Sequence, residues 1–82
     1  MITVKCHDLT AAQLHGKLAE VLAFPDWYGG NLDALYDCLS EVDTDTTLCL
    51  EGFDDQRFPG FSEVFEDATD ENECLTIILE YE

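Results

Sequence analysis

Two carboxylates, Asp33 and Asp37, stand four residues apart just after an aromatic and glycine-rich run, Trp27-Tyr28-Gly29-Gly30-Asn31. Asn31 is a preferred N-cap residue, and the glycine pair before it lets the chain enter a helix at a sharp angle, so a helix starts near Leu32. At about 100° of turn per residue, Leu32, Leu35 and Leu39 gather on one side with Tyr36 at the margin, while Asp33 and Asp37 fall together on the solvent side. Such a pair offers a cationic partner a compact set of acceptors. Asp33 lies in the first turn, where the helix dipole favours an anion and no functional reason is needed. Asp37 lies beyond that reach and repels Asp33 by about 0.2–0.5 kcal/mol, which makes it the better pointer to a site. Trp27, Tyr28 and Tyr36 cannot all enter the core of a short helix's surroundings, and an exposed aromatic beside paired carboxylates has the composition of a binding hot spot. A solvated helix face is the plain alternative while this helix is considered alone.

Other chemistry is missing. His7 and His15 are the sole candidate general bases near neutral pH, and no serine, cysteine or carboxylate accompanies either in a catalytic pattern. There is no nucleophile elbow, phosphate-cradling glycine loop or His-x-x-x-His pair, so enzyme function is not expected. Asp43-Thr44-Asp45-Thr46-Thr47 fits an Asp-x-Asp-x-Thr pattern of aspartate-nucleophile phosphotransferases. There, however, the motif follows an apolar strand, whereas Leu48-Cys49-Leu50 comes after it here. The same stretch fails as a calcium loop because Leu48 stands where glycine is needed. Cys6, Cys38, Cys49 and Cys74 form no Cys-x-x-Cys pair, which argues for buried, reduced thiols and against a zinc site. No cofactor or metal is expected.

The chain has 82 residues, which suits one domain over 1–82 with a modest core. It carries 19 acidic side chains against 3 basic ones, for a formal net charge of -16. Direct binding to nucleic acid would add repulsion where counterion release normally supplies affinity. A basic partner is favoured, although an acidic surface would equally suit a salty cytoplasm. Met1-Ile2-Thr3-Val4-Lys5 lacks the apolar run of a leader and no stretch approaches the roughly 18 apolar residues that span a membrane, so a cytoplasmic protein without membrane contact is expected.

Apolar spacing sets the elements. Ile2–Cys6 reads as a strand, and Ala11–Phe24 as an amphipathic helix capped by Asp8 or Thr10 and closed by Pro25. The second helix, Asn31–Ser40, is followed by a polar linker to Thr46 and a buried strand, Thr47–Glu51, ended by Gly52. Phe53–Gly60 is open between a loop and a single helical turn. Ser62 is the candidate cap of a helix to about Asp70, and Leu75–Tyr81 is a last strand. Strands alternating with helices in this way predict an α/β fold with a parallel sheet and right-handed crossovers.

The run Leu22-Ala23-Phe24-Pro25-Asp26-Trp27-Tyr28-Gly29-Gly30-Asn31-Leu32-Asp33-Ala34-Leu35-Tyr36-Asp37-Cys38-Leu39 resembles the signature of the barstar family, intracellular inhibitors of a secreted ribonuclease. Similarity extends over the first strand and helix, Leu48-Cys49-Leu50-Glu51, Val64-Phe65, and Thr76-Ile77-Ile78-Leu79. The resemblance implies a three-stranded parallel sheet flanked by about three helices. It also implies a protein that plugs the active site of a basic, extracellular-type ribonuclease and neutralises it as a toxin. In that scheme Asp37 replaces the substrate phosphate among the enzyme's basic side chains, and Asp33 pairs beside it. Trp27 stands where the family has a tyrosine that packs on the catalytic histidine, and Tyr36 stands in place of a tryptophan. Gly29, Gly30, Asn31 and Leu32 shape the insert, and Val64 and Asp67 are further contacts from the last helix. Two departures are visible. Glu41-Val42 replaces the family's Gly-Trp, and the stretch from Glu51 to the last helix is shorter, so one helix is expected to be reduced or lost.

A second reading is an acidic binding or immunity module for a different basic protein or toxin. It would spread its energy over many carboxylates, whereas a ribonuclease inhibitor needs Trp27, Asp33 and Asp37 together. Either way the free chain is expected to be a monomer.

Overall fold

Strands and helices follow one another as β1 (Ile2–Lys5), α1 (Ala11–Val21), α2 (Leu32–Ser40), β2 (Thr46–Phe53), α3 (Phe61–Glu71) and β3 (Leu75–Tyr81) in a computed structural model that describes residues 1–81. The strands pair in parallel in the order β1-β2-β3, with Val4, Leu50 and Leu79 in one cross-strand row and Lys5, Glu51 and Glu80 in the next. This is the α/β architecture expected. Because side chains alternate across a strand, Val4, Leu48 and Leu50 meet the helices. There they join Leu14 and Leu18 of α1, Leu35 and Leu39 of α2, and Phe61, Phe65 and Ala68 of α3 in one buried cluster. The opposite sheet face carries Thr3, Lys5, Thr76, Ile78 and Glu80, all exposed.

Several element ends differ from expectation, each for a local reason. Helix α1 is capped by Thr10, whose hydroxyl accepts from Gln13 N while Gln13 Oε1 accepts from Thr10 N, a reciprocal capping box. It stops at Val21 rather than Phe24. Phe24 N donates to Ala19 O at 2.9 Å and Ala23 N to Glu20 O at 3.4 Å, closing the helix in a Schellman motif with Ala23 at φ 54° where glycine is usual. Strand β2 does not end at Gly52 but continues to Phe53 through an irregularity in the register with β3. Gly52 has φ +73°, and a Cβ there would fall 2.4 Å from His7 Nδ1, so the imidazole lies over the glycine.

The open stretch resolves as turns from Asp54 to Gly60. Phe58 N bonds Asp54 O at 2.9 Å, and Arg57 Nη1 donates to the carbonyls of Cys6 and His7, tying the turn to the end of β1. Phe58 is thereby buried, its ring 5.4 Å from that of Phe53. Ser62 is not the cap of α3. The cap lies two residues earlier, at Gly60 with φ 84°, which makes no side-chain cap bond. The positive φ favours glycine at this position, and a Cβ on Gly60 would lie 2.6 Å from Leu32 Cδ1, so any side chain there must displace the end of that leucine.

Candidate functional site

Helix α2 begins as its sequence dictates. Asn31 is extended at φ -125°, and its Oδ1 accepts from Ala34 N at 2.8 Å. Asp33 follows in the first turn and Asp37 lies one turn further along the same exposed face. Leu35, Cys38 and Leu39 point inward, leaving Leu32 and Tyr36 half-buried at the border. Against that border packs α3, whose Phe65 and Ala68 are buried while Val64 is partly covered.

Between the two helices lies an open cleft of about 420 Å³, lined by Leu32, Asp33, Tyr36 and Asp37 of α2 and by Val64 and Asp67 of α3. Six of the expected site residues therefore meet in one concavity. Three of its six lining residues are carboxylates and none is basic, so the cleft is complementary in charge to a lysine, arginine or protonated histidine. Tyr36 forms one wall. Its hydroxyl donates to Glu71 Oε2 at the end of α3, and this bond, with some burial, raises the phenol's pKa.

The remaining four lie on the approach to α2. Trp27 is 58% exposed, in a turn in which Tyr28 N bonds Pro25 O at 3.0 Å, and it does not line the cleft. Gly29 and Gly30 are exposed, and only Gly30, at φ +67°, requires glycine's backbone freedom. The Asn31 carbonyl and amide oxygens are both used in starting the helix.

Three supporting residues escaped the sequence reading. His15 of α1 is 8% exposed, its ring centroid lies 4.7 Å from that of Phe61, and its Nδ1 is 2.5 Å from the Tyr28 hydroxyl. Burial lowers the His15 pKa and, with Cys38 nearby, pushes Tyr28 up to about 12, so burial favours the neutral form of both groups in this bond. This bond anchors the residue next to Trp27. Asn72, also buried, donates through Nδ2 to Leu39 O and Val42 O, each at 2.9 Å, and accepts from Cys74 N at 3.0 Å. It thereby joins the C-terminal ends of α2 and α3. Glu71 is the third, through Tyr36. An isolated asparagine or histidine carries no sequence signal for such long-range bonds.

Elsewhere, among the described residues, Cys49, Glu51 and Glu80 bring one potential metal-ligating atom each within 4.8 Å of one another on the open sheet face. The Cys49 thiol already donates to Glu80 Oε1 at 3.0 Å, and that bond, followed by burial, pushes its pKa up to about 11. No helix is long and apolar enough to cross a membrane.

Comparison with known proteins adds two findings. A family model described as "Barstar (barnase inhibitor)" matches residues 2–80. The chain is also 55% identical over 42 residues to the "Putative ribonuclease inhibitor YrdF" of Bacillus subtilis (strain 168), a match that covers 50% of this chain and 46% of that protein. The chain thus spans under half the length of that relative.

Proposed function

The chain belongs to the barstar family, and from that premise we propose that it is an inhibitor, not an enzyme, which closes the active site of a small basic ribonuclease with α2 and the turn before it. The observation that carries this reading is the acidic cleft between α2 and α3, with Asp33, Asp37 and Asp67 on its walls and no cation among its lining residues.

An enzyme that cleaves RNA presents cationic groups where the scissile phosphate binds. Asp37 supplies the surrogate for that phosphate, because it projects from the helix beyond the capping turn. Asp33 pairs with the neighbouring cations, Trp27 covers the catalytic histidine with its exposed ring, and Gly29, Gly30, Asn31 and Leu32 give the insert its narrow profile. Tyr36, Val64 and Asp67 flank the contact. Tyr36 is held by its bond to Glu71, so little of its side-chain freedom is lost on docking. The formal charge of -16 steers a cationic enzyme into this surface and makes association sensitive to salt. Binding is expected from one domain acting as a monomer in the cytoplasm, where the target would otherwise act on the host's RNA.

The test is RNA cleavage by a basic, guanyl-specific microbial ribonuclease with the purified chain added in increasing amounts. Stoichiometric inhibition at low salt, weakened as salt rises, is the expected result. No inhibition of any such enzyme at low salt would replace this reading with an immunity module for a different basic protein.

A further inference from the structure

The outer edge of β3 opens a second interaction surface on the far side of α3. Among the described residues β3 pairs only with β2. Thr46 N bonds Cys74 O at 2.8 Å, and in a parallel ladder successive residues turn their backbone groups alternately to the two sides. Thr76, Ile78 and Glu80 therefore bond towards β2, and the N–H and C=O groups of Ile77 and Leu79 face outward. Natural sheets blunt such edges with proline, lysine or a bulge, and Leu75-Thr76-Ile77-Ile78-Leu79-Glu80-Tyr81 has neither proline nor lysine. Beside the edge runs a groove of about 310 Å³, lined by Phe65, Glu66 and Thr69 of α3 and by Ile77, Leu79 and Tyr81 of β3. An unpaired strand next to a helix-walled groove is the arrangement that accepts an added strand, with backbone bonds to the edge and alternate side chains in the groove.

We propose that this edge takes an extended, lysine- or arginine-bearing segment of a protein partner as a fourth strand of the sheet. Charge selects that occupant. A second copy would bring another formal charge of -16 and set its own Glu80 and Glu66 against these. In the fourth-strand position, one set of side chains of a basic segment passes Glu66 at the groove rim, and the other set lies beside Ile78, which is 42% exposed, and Glu80. The surface is independent of the α2–α3 cleft, because Val64 and Asp67 face that cleft while Phe65, Glu66 and Thr69 face the groove. Both can be occupied together.

The experiment adds a blocked heptapeptide of alternating lysine and valine to the full chain labelled with nitrogen-15. Two further versions carry backbone N-methyl groups, on the valines in one and on the lysines in the other. Only one set of peptide amides faces β3, so one methylated version should bind about tenfold or more weakly while the other binds like the parent. The parent should shift and protect from exchange the amides of Ile77 and Leu79, and Glu66→Gln should weaken it several-fold. Equal binding of the two methylated peptides, shifts confined to Asp33, Asp37 and Asp67, or dimerisation of the chain through β3 would each overturn the assignment.

Discussion

Tyr36 on α2 and Glu71 on α3 are joined by a hydrogen bond from phenol to carboxylate, although 35 residues separate them in the chain. This bond closes one side of the acidic cleft and commits one nearby carboxylate to an internal partner. With Glu71→Ala the strongest influence raising the Tyr36 pKa is lost. Tyrosinate absorbance should then show one of the three tyrosines titrating at lower pH than in the parent chain. An unchanged titration curve would mean that the bond does not persist in solution.

Unequal parts are expected within the carboxylate set. Asp37→Ala should cost about 2 kcal/mol or more of ribonuclease binding, which is some thirtyfold in Kd, and more than Asp33→Ala, whose place in the first turn has its own structural reason. A remote change, Asp43→Ala, should alter mainly the association rate and its dependence on salt. Association and dissociation rates measured by surface plasmon resonance separate these outcomes. Equal losses from Asp37→Ala and Asp43→Ala would remove the phosphate-surrogate role.

Acid should loosen the turn that carries Trp27. The His15 pKa is lowered by burial in the folded chain, so below the ordinary value of about 6.5 the unfolded chain binds the proton more readily. Its contribution to stability is therefore complete above that value and is lost as pH falls from it towards the folded pKa. Protonation also puts a charge on a buried ring that packs against Phe61 and Tyr28. Urea midpoints measured from pH 8 to pH 5.5 should fall in the parent and fall less in His15→Gln.

Ala23 holds φ 54° at the end of α1, a conformation that costs an L-residue about 1–2 kcal/mol. Glycine relieves it and returns about 0.5–1 kcal/mol as extra freedom of the unfolded chain, so Ala23→Gly should stabilise by about 0.5–1 kcal/mol net. Thermal or urea unfolding reads the gain directly, with destabilisation as the contrary result.

Asn72→Ala leaves the carbonyls of Leu39 and Val42 without their donor and should destabilise by about 1–3 kcal/mol. Since Asn72 ties the ends of α2 and α3, amide exchange in the last turn of α2 should accelerate more than exchange in β2. A uniform change across the chain would indicate that the tie has no local role.

The element order was legible because leucine spacing in Leu14, Leu18, Leu35 and Leu39 and the β-rich run Leu75–Leu79 leave little choice of period. The carboxylate pair was legible for the same reason, since helical geometry alone puts Asp33 and Asp37 on one face. What could not be read was long-range: Asn72 across to Leu39, Tyr36 to Glu71, His15 to Tyr28. Each joins residues 13 or more apart, and none leaves a periodic trace. The helix boundary at Phe61 was missed because Ser62 has the chemistry of a cap, whereas Gly60 wins on backbone conformation and its contact with Leu32.

That contact lets the wall of the acidic cleft be altered from behind. Leu32 lines the acidic cleft on one side and rests on Gly60 on the other, at the end of a loop that lies outside the cleft. A side chain at Gly60 would displace the end of the leucine and reshape the cleft while Asp33 and Asp37 keep their identities. Lineages of such a protein could thus vary the shape of the cleft through a position that does not itself line it.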